Sequence, residues 1–389
     1  MHSAATAASS KQLQARILQV LPALDSGGVE RGTIEIAQAI VAAGGTALVA
    51  SAGGRMVPQL ERAGGRHITL PLMTKDPLNI WLHGFTLARL IRRENVSLVH
   101  ARSRAPGWSA WLAARRAGVP FVTTWHGVYG EDFPGKRLYN SVMARGARVI
   151  AISGFVAERL RALGVPEERI RLIPRGADPA QFDPELVTGE RVHRLAQIWR
   201  LPPGARVVVL PARLTRWKGG ELLLEAVVRL ARPELFCVFV GGGSDAFAGQ
   251  LTRKAERLGI GERMRLAGHC DDMPAALMLA DVVVCPSLKP EPFGRVVVEA
   301  QALGCLVVAA NHGGAAETVT DGTGWRVPPG DAGALAEAIA QALAAQKGER
   351  QAIGAAARAH VLANYTVAAM QAATLEVYRE VLGDVCGAS

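Results

Sequence analysis

The feature that most constrains this 389-residue chain is a repeated alternation of short apolar runs with stretches of helical periodicity, arranged in two series. The first series places strands at 17–21, 47–50, 67–70, 98–101, 121–124, 149–152 and 171–173. The second places them at 207–210, 236–240, 264–266, 282–285, 306–309 and 325–327. Parallel strands need long crossovers, and helices fill them, so such an alternation predicts a parallel sheet covered on both faces. Two series predict two doubly wound, Rossmann-like α/β domains, over residues 16–180 and 204–365. Residues 181–203 lie in a stretch rich in Pro, Asp and Glu and read as the linker, and 366–389 read as a C-terminal helix.

A hydrophobic content of 49% is ample for two cores. No apolar run approaches the roughly 18–20 residues of a membrane span, because Asp281 and Glu299 interrupt the most apolar region. Residues 1–15 lack a cationic start followed by an apolar core, so they read as a disordered lead and not as a signal peptide. The five cysteines include no C-x-x-C pair, and Cys237, Cys285 and Cys305 lie in or beside apolar runs, as reduced thiols do. A cytoplasmic protein is expected.

Charge is uneven. Residues 1–200 carry 26 Lys and Arg against 15 Asp and Glu, whereas residues 201–389 carry 18 against 19. The clusters Arg89/Arg92/Arg93, Arg102/Arg104, Arg115/Arg116 and Lys136/Arg137 suit electrostatic docking on an anionic membrane or glycolipid, and solvated helix faces would look the same. Peripheral attachment to the inner face of the cytoplasmic membrane is the corresponding expectation. Aromatics at 5% and the lack of a binding motif argue against nucleic acid.

Three segments have chemistry suited to phosphate and sugar. In Glu291-Pro-Phe-Gly-Arg-Val-Val-Val-Glu299, Pro292 disfavours helix at Glu291 and Gly294 permits a tight turn, so a helix starts near Arg295. The two carboxylates then stand roughly 10–12 Å apart. That is too wide for a glycosidase pair, which needs about 5–9.5 Å. It suits a ligand with hydroxyl-bearing rings at both ends and an anion on the helix N-terminus between them. Two solvated glutamates flanking a turn would give the same spacing. Arg213 and Lys218 follow the strand 207–210, at the end where open α/β sheets bind ligands, and their charges suit a diphosphate. Gly27 and Gly28 precede a helical stretch and offer main-chain amides to an anion, or form a plain turn.

Together with Gly313, Gly314 and Glu317, these segments resemble the retaining family 4 glycosyltransferases of the GT-B fold, from about Arg16 to Val385. The resemblance implies two Rossmann-like domains facing each other across a cleft, with the C-terminal helix crossing back to the first. It implies that Glu291 binds donor-sugar hydroxyls, that Phe293, Gly294, Arg295 and Val296 present backbone amides, and that Glu299 holds the ribose. Arg213 and Lys218 would take the diphosphate, Gly27 and Gly28 would close over it, and His126 would contact the donor sugar from the acceptor side. The base would lodge near Gly268-His269-Cys270 and Gly241-Gly242-Gly243-Ser244, while Gly313, Gly314 and Glu317 would shape the sugar pocket. Arg175 departs from the family, which usually has Asn there.

The implied reaction is metal-independent transfer, with retention of configuration, from a nucleotide diphosphate sugar to a lipopolysaccharide-type or other lipid-linked glycan. No cofactor is expected: no D-x-D site follows a strand, and Asp271-Asp272 is a poor substitute. Transfer to a soluble acceptor, a phosphorylase or epimerase on the same fold, and a non-catalytic nucleotide-binding protein remain the alternatives.

Overall fold

The computed structural model describes residues 12–25, 27–130 and 134–386. All thirteen expected strands form, with ends within one or two residues of expectation. They build two units. The first takes the chain to Ile152, Val156–Ile173 and everything from Met370, while the second takes Ser153–Phe155 and Pro174–Ala369.

The first unit holds a seven-stranded sheet of β1 (Arg16–Val20), β2 (Thr46–Ser51), β3 (Arg66–Thr69), β4 (Leu98–Ala101), β5 (Phe121–Trp125), β6 (Arg148–Ala151) and β7 (Ile170–Leu172). Their order is β3-β2-β1-β4-β5-β6-β7, all parallel. Leu18 of β1 lies between Leu48 and Val99 in register, and all three are buried. This continuous apolar filling is what a sheet covered on both faces requires. The expected lead 1–15 lies outside the described residues through position 11, but Leu13 is buried and its N–H bonds the Ala43 carbonyl. Packing thus begins before β1.

The second unit holds β8 (Arg206–Pro211), β9 (Leu235–Val240), β10 (Met264–Gly268), β11 (Val282–Cys285), β12 (Val307–Ala310) and β13 (Trp325–Val327), ordered β10-β9-β8-β11-β12-β13 and parallel. Every residue of β9 is buried. The stretch expected as linker is structured within this unit: Thr188 caps a helix at Gly189–Ile198, and Arg191 forks the Asp272 carboxylate at 2.6 and 2.9 Å. In each sheet the strand order reverses once, between β1 and β4 and between β8 and β11. The loops leaving the C-terminal ends of those strands are where such sheets take ligands.

The last helix, Val367–Cys386, packs with the first unit from Met370 onward. Tyr378 is fully buried there, and its hydroxyl meets His100 Nδ1 at 2.6 Å while His100 Nε2 meets Thr124 Oγ1 at 2.7 Å. Burial pushes the Tyr378 hydroxyl up, so it stays neutral. Glu380 joins Arg148 of β6 and Arg171 of β7, and the hydrogen bond from Arg171 holds its carboxyl below the usual 4.5. A depressed carboxyl stabilises the fold above its unfolded pKa, and that contribution disappears as pH falls through the folded value. Glu380→Gln should therefore lower stability by about 0.5–1 kcal/mol at neutral pH. In thermal melts the difference from the parent protein should shrink steadily below about pH 4.5.

Candidate active site

The second unit's site forms because β8 and β11 are neighbours. Beyond Pro211 the chain runs through Arg213 into a 3-10 turn at Arg216–Lys218, then into the helix Gly220–Leu230. Beyond Cys285 it loops to Gly294 and enters the helix Arg295–Ala302. The two loops are stitched by a backbone bond from Leu288 N–H to the Trp217 carbonyl, 2.7 Å. Lys218 Nζ then meets Glu291 Oε1 at 2.5 Å, across 73 positions of sequence, and both side chains are largely shielded from solvent. Ser287 Oγ donates to the same carboxylate oxygen at 2.5 Å. Ser287 is itself buried, and its carbonyl accepts from His312 Nε2 at 2.7 Å, which sets the protonated nitrogen of that imidazole.

A third loop, after β12, closes on Glu291 from the backbone side. Gly314 N–H donates to the Glu291 carbonyl at 2.8 Å, in a parallel bridge between Glu291 and Gly313. Gly313 has φ 64°, and a Cβ there would stand 2.5 Å from the Glu291 carbonyl oxygen. The glycine pair therefore serves a backbone approach. The helix at Arg295 starts from Gly294 with no side-chain cap, and a helix N-terminus is the end that favours an anion. Lys218, Ser287, Glu291, Gly294, Arg295 and Val296 line a cavity of about 150 Å³. A whole-ligand pocket occupies about 300–1,000 Å³, so this one fits only part of a nucleotide sugar. Cys285 forms a wall; burial, with Glu291 adding to it, pushes its thiol up to about 12 and leaves it a neutral surface.

The other expected site residues fall in several places. Arg213 is exposed, with no ion pair among the described residues. Glu299 is buried and paired with Arg295 Nε at 3.0 Å, one helical turn away. Phe293 points into the core, edge-on to Tyr365 at 5.7 Å between ring centres. Gly268 ends β10 with its carbonyl bonded to Gly241 N–H at 2.7 Å, and His269 is exposed with Nε2 3.0 Å from Asp271. Ser244 caps the helix Asp245–Arg257. Glu317 accepts the N–H groups of Gly154 and Phe155, at 2.8 and 2.5 Å. Among the described residues no three His, Cys, Asp or Glu side chains gather as metal ligands would, and Asp272 is held by Arg191.

Gly27, Gly28 and His126 belong to the first unit. Gly27 begins the helix Gly28–Ala42 at φ 132°, and the Glu30 carboxylate lies 2.8 Å from where a Gly27 Cβ would stand. An anion brought to these amides therefore meets a negative charge as well. His126 is half-buried just past β5. One expectation is corrected. Arg102, grouped above with surface cations, is 2% exposed at the end of β4, and burial brings it down to about 10 against the favourable pull of the Glu35 and Glu30 carboxylates. It belongs to the core because β4 is a central strand whose C-terminal end is covered. Ser287 and His312 were missed; the only signal was their place just before Glu291 and Gly313 in the sequence.

Residues 193–360 match the family model described as glycosyl transferases group 1, and residues 26–181 match that of glycosyltransferase family 4. The chain belongs to this glycosyltransferase family. A D-inositol 3-phosphate glycosyltransferase of Catenulispora acidiphila is 32% identical over 348 residues, covering 81% of this chain and 82% of that one. A GDP-mannose-dependent alpha-(1-6)-phosphatidylinositol monomannoside mannosyltransferase of Mycolicibacterium smegmatis is 30% identical over 312 residues, covering 75% and 80%. The solved structure of a glycosyltransferase from Rickettsia africae ESF-5 superposes with a TM-score of 0.87 at 35% identity, covering 95% of this chain and 99% of that one. The two doubly wound units are the organisation of GT-B glycosyltransferases, and this glycosyltransferase draws on a nucleotide sugar. Gly313→Ala should force a left-handed residue costing about 1–2 kcal/mol before the clash with Glu291 is counted. We expect a lower Tm and loss of stabilisation by nucleotide sugars in thermal-shift assays, while an exposed control such as Gly322→Ala loses only Tm.

Proposed function

We propose that this glycosyltransferase moves a sugar, with retention of anomeric configuration and without an essential metal, from a nucleotide diphosphate sugar to a hydroxyl of a lipid-linked glycan acceptor. The observation that carries the donor half is the Lys218–Glu291–Ser287 cluster beside an uncapped helix N-terminus. Cation and helix amides suit the diphosphate; the carboxylate and hydroxyl suit sugar hydroxyls, which donate and accept hydrogen bonds. Arg213 emerges from the same loop and adds the second charge. Glu299 would reach the ribose by exchanging its bond to Arg295, and the base would rest near Gly268 and His269. By the family resemblance, His126 would contact the donor sugar from the acceptor side, and Gly27 and Gly28 would contact phosphate.

In the step itself, the bond from the anomeric carbon to the diphosphate oxygen breaks as the acceptor oxygen bonds to the same face. The acceptor proton passes to the departing diphosphate oxygen. Lys218 and Arg213 stabilise the charge that develops on the leaving group. Orientation by Glu291 supplies the rest.

The acceptor half rests on two supports. The chain is 30% identical to a mannosyltransferase whose described acceptor is a phosphatidylinositol monomannoside, and residues 1–200 carry the excess of cations. A lipopolysaccharide-type acceptor at the cytoplasmic membrane has the same chemistry, a sugar hydroxyl on an anionic lipid. The test is transfer with a panel of nucleotide sugars and glycolipids, followed by NMR of the product. Retained configuration and unchanged rate in EDTA are expected. Inversion, or an EDTA-dependent rate, would refute the mechanism, and transfer to soluble acceptors alone would refute the lipid assignment.

A further inference from the structure

The helix Pro77–Arg93 buries one face, through Leu87, Ala88, Leu90 and Ile91, and leaves apolar groups on the other. Leu78, Trp81 and Leu82 are 64%, 49% and 46% exposed, and Met73, just before the helix, is 61% exposed. Positions 78, 81, 82, 85, 89 and 92 follow helical spacing, so they form a single outward stripe. Its first half is apolar, with Trp81 edge-on to Phe85 at 4.4 Å, and its second half is Arg89 and Arg92. The helix Arg104–Ala117 packs alongside, where Ser109 Oγ bonds the Ile80 carbonyl. Its cations continue the pattern: Arg116 lies 4.0 Å over Phe85 and Arg115 lies 4.9 Å over Trp111, which Arg145, beyond that helix, also covers at 4.7 Å. The two acids of the striped helix's ends are engaged, Asp76 as its cap and Glu94 by Arg16, Arg66 and Arg93. No carboxylate therefore neutralises the stripe from its own helix.

We infer that this face is a membrane-docking surface, in which Met73, Leu78, Trp81 and Leu82 enter the headgroup region of an anionic bilayer while the arginines around them meet lipid phosphates. Four apolar groups standing in water together are unusual on a protein that has buried its core elsewhere. Interfacial helices carry this combination of Leu and Trp with flanking arginine, whose long stems let the charge reach the phosphates. A second copy of the chain is a poorer occupant, because pairing the apolar groups of this face would leave its arginines without a counter-charge. An anionic bilayer satisfies the apolar groups and the charge at once. The inference deepens the lipid-acceptor reading and takes its purpose from it, but its readout is lipid binding, so either can fail alone.

The test is co-sedimentation of the full chain with phosphatidylcholine vesicles and with vesicles containing about one-third phosphatidylglycerol. Binding to the anionic vesicles only is expected, with a remnant surviving about 0.5 M salt because apolar insertion is not screened. Leu78→Ser with Leu82→Ser should weaken it about tenfold or more. Arg89→Gln with Arg92→Gln should weaken it and flatten its salt dependence. The nucleotide-sugar thermal shift should be unchanged in both, which shows that the fold is intact. Parent protein that ignores anionic vesicles, or equal binding by the serine variant, would overturn the inference. So would sedimentation velocity showing a parent dimer that the serine variant dissolves while vesicle binding is unchanged.

Discussion

The second unit depends on an ion pair between residues far apart in sequence, Lys218 and Glu291, at the point where its strand order reverses. Two charges this shielded are stable together and costly apart, because removing either leaves the other desolvated and unpaired. The fold surrounds the pair with what it needs: Ser287 on the carboxylate, the Leu288 to Trp217 backbone bond beneath it, and Gly313 and Gly314 allowing a third loop to approach. A donor whose diphosphate seeks a cation and whose sugar seeks a carboxylate can separate the pair without leaving either member unmet. On the proposed reading the site is preorganised, and its charges would be exchanged for ligand contacts.

Much of this was legible in the sequence, for reasons that differ from element to element. The central strands were legible because they are short, mostly apolar runs buried on both faces, of which β9 is the clearest case, while edge strands such as β3 and β7 are partly exposed. The turn at Gly294 and the helix at Arg295 followed from proline and glycine acting locally. What spacing could not show was the partner of each loop. The meeting of Lys218 with Glu291 depends on strand order, and the bond of Ser287 to Glu291 depends on loop conformation. Arg102 was misread because a cation after a strand looks the same whether the strand is central or at an edge; only the placement of β4 beside β1 buries it. Residues 181–203 looked like a linker by composition, whereas Thr188 caps a helix within them and Arg191 fastens it to Asp272.

The first unit shows a different division of labour. Its tail helix is anchored in the interior by Tyr378 on His100 and at the sheet edge by Glu380 on two arginines. Its outer helix Pro77–Arg93 presents Leu78, Trp81 and Leu82 to solvent beside Arg89 and Arg92. Counting charges pointed to a basic half, but the count mixed structural arginines such as Arg102 with those free to meet a partner. Burial separates them. The stripe of Leu78, Trp81 and Leu82 carried no weight in a charge count, although its helical spacing was readable.

The central claim is that Lys218 serves the diphosphate and Glu291 the sugar. Titration calorimetry with the free nucleoside diphosphate and with the matching nucleotide sugar, on the parent protein, Lys218→Met, Glu291→Gln and the double variant, tests it most directly. The account predicts that Lys218→Met weakens both ligands, and that Glu291→Gln weakens only the nucleotide sugar, by about tenfold or more for a lost hydrogen bond to a charged group. Equal loss of both ligands in Glu291→Gln, or unchanged binding of the free diphosphate in Lys218→Met, would contradict it.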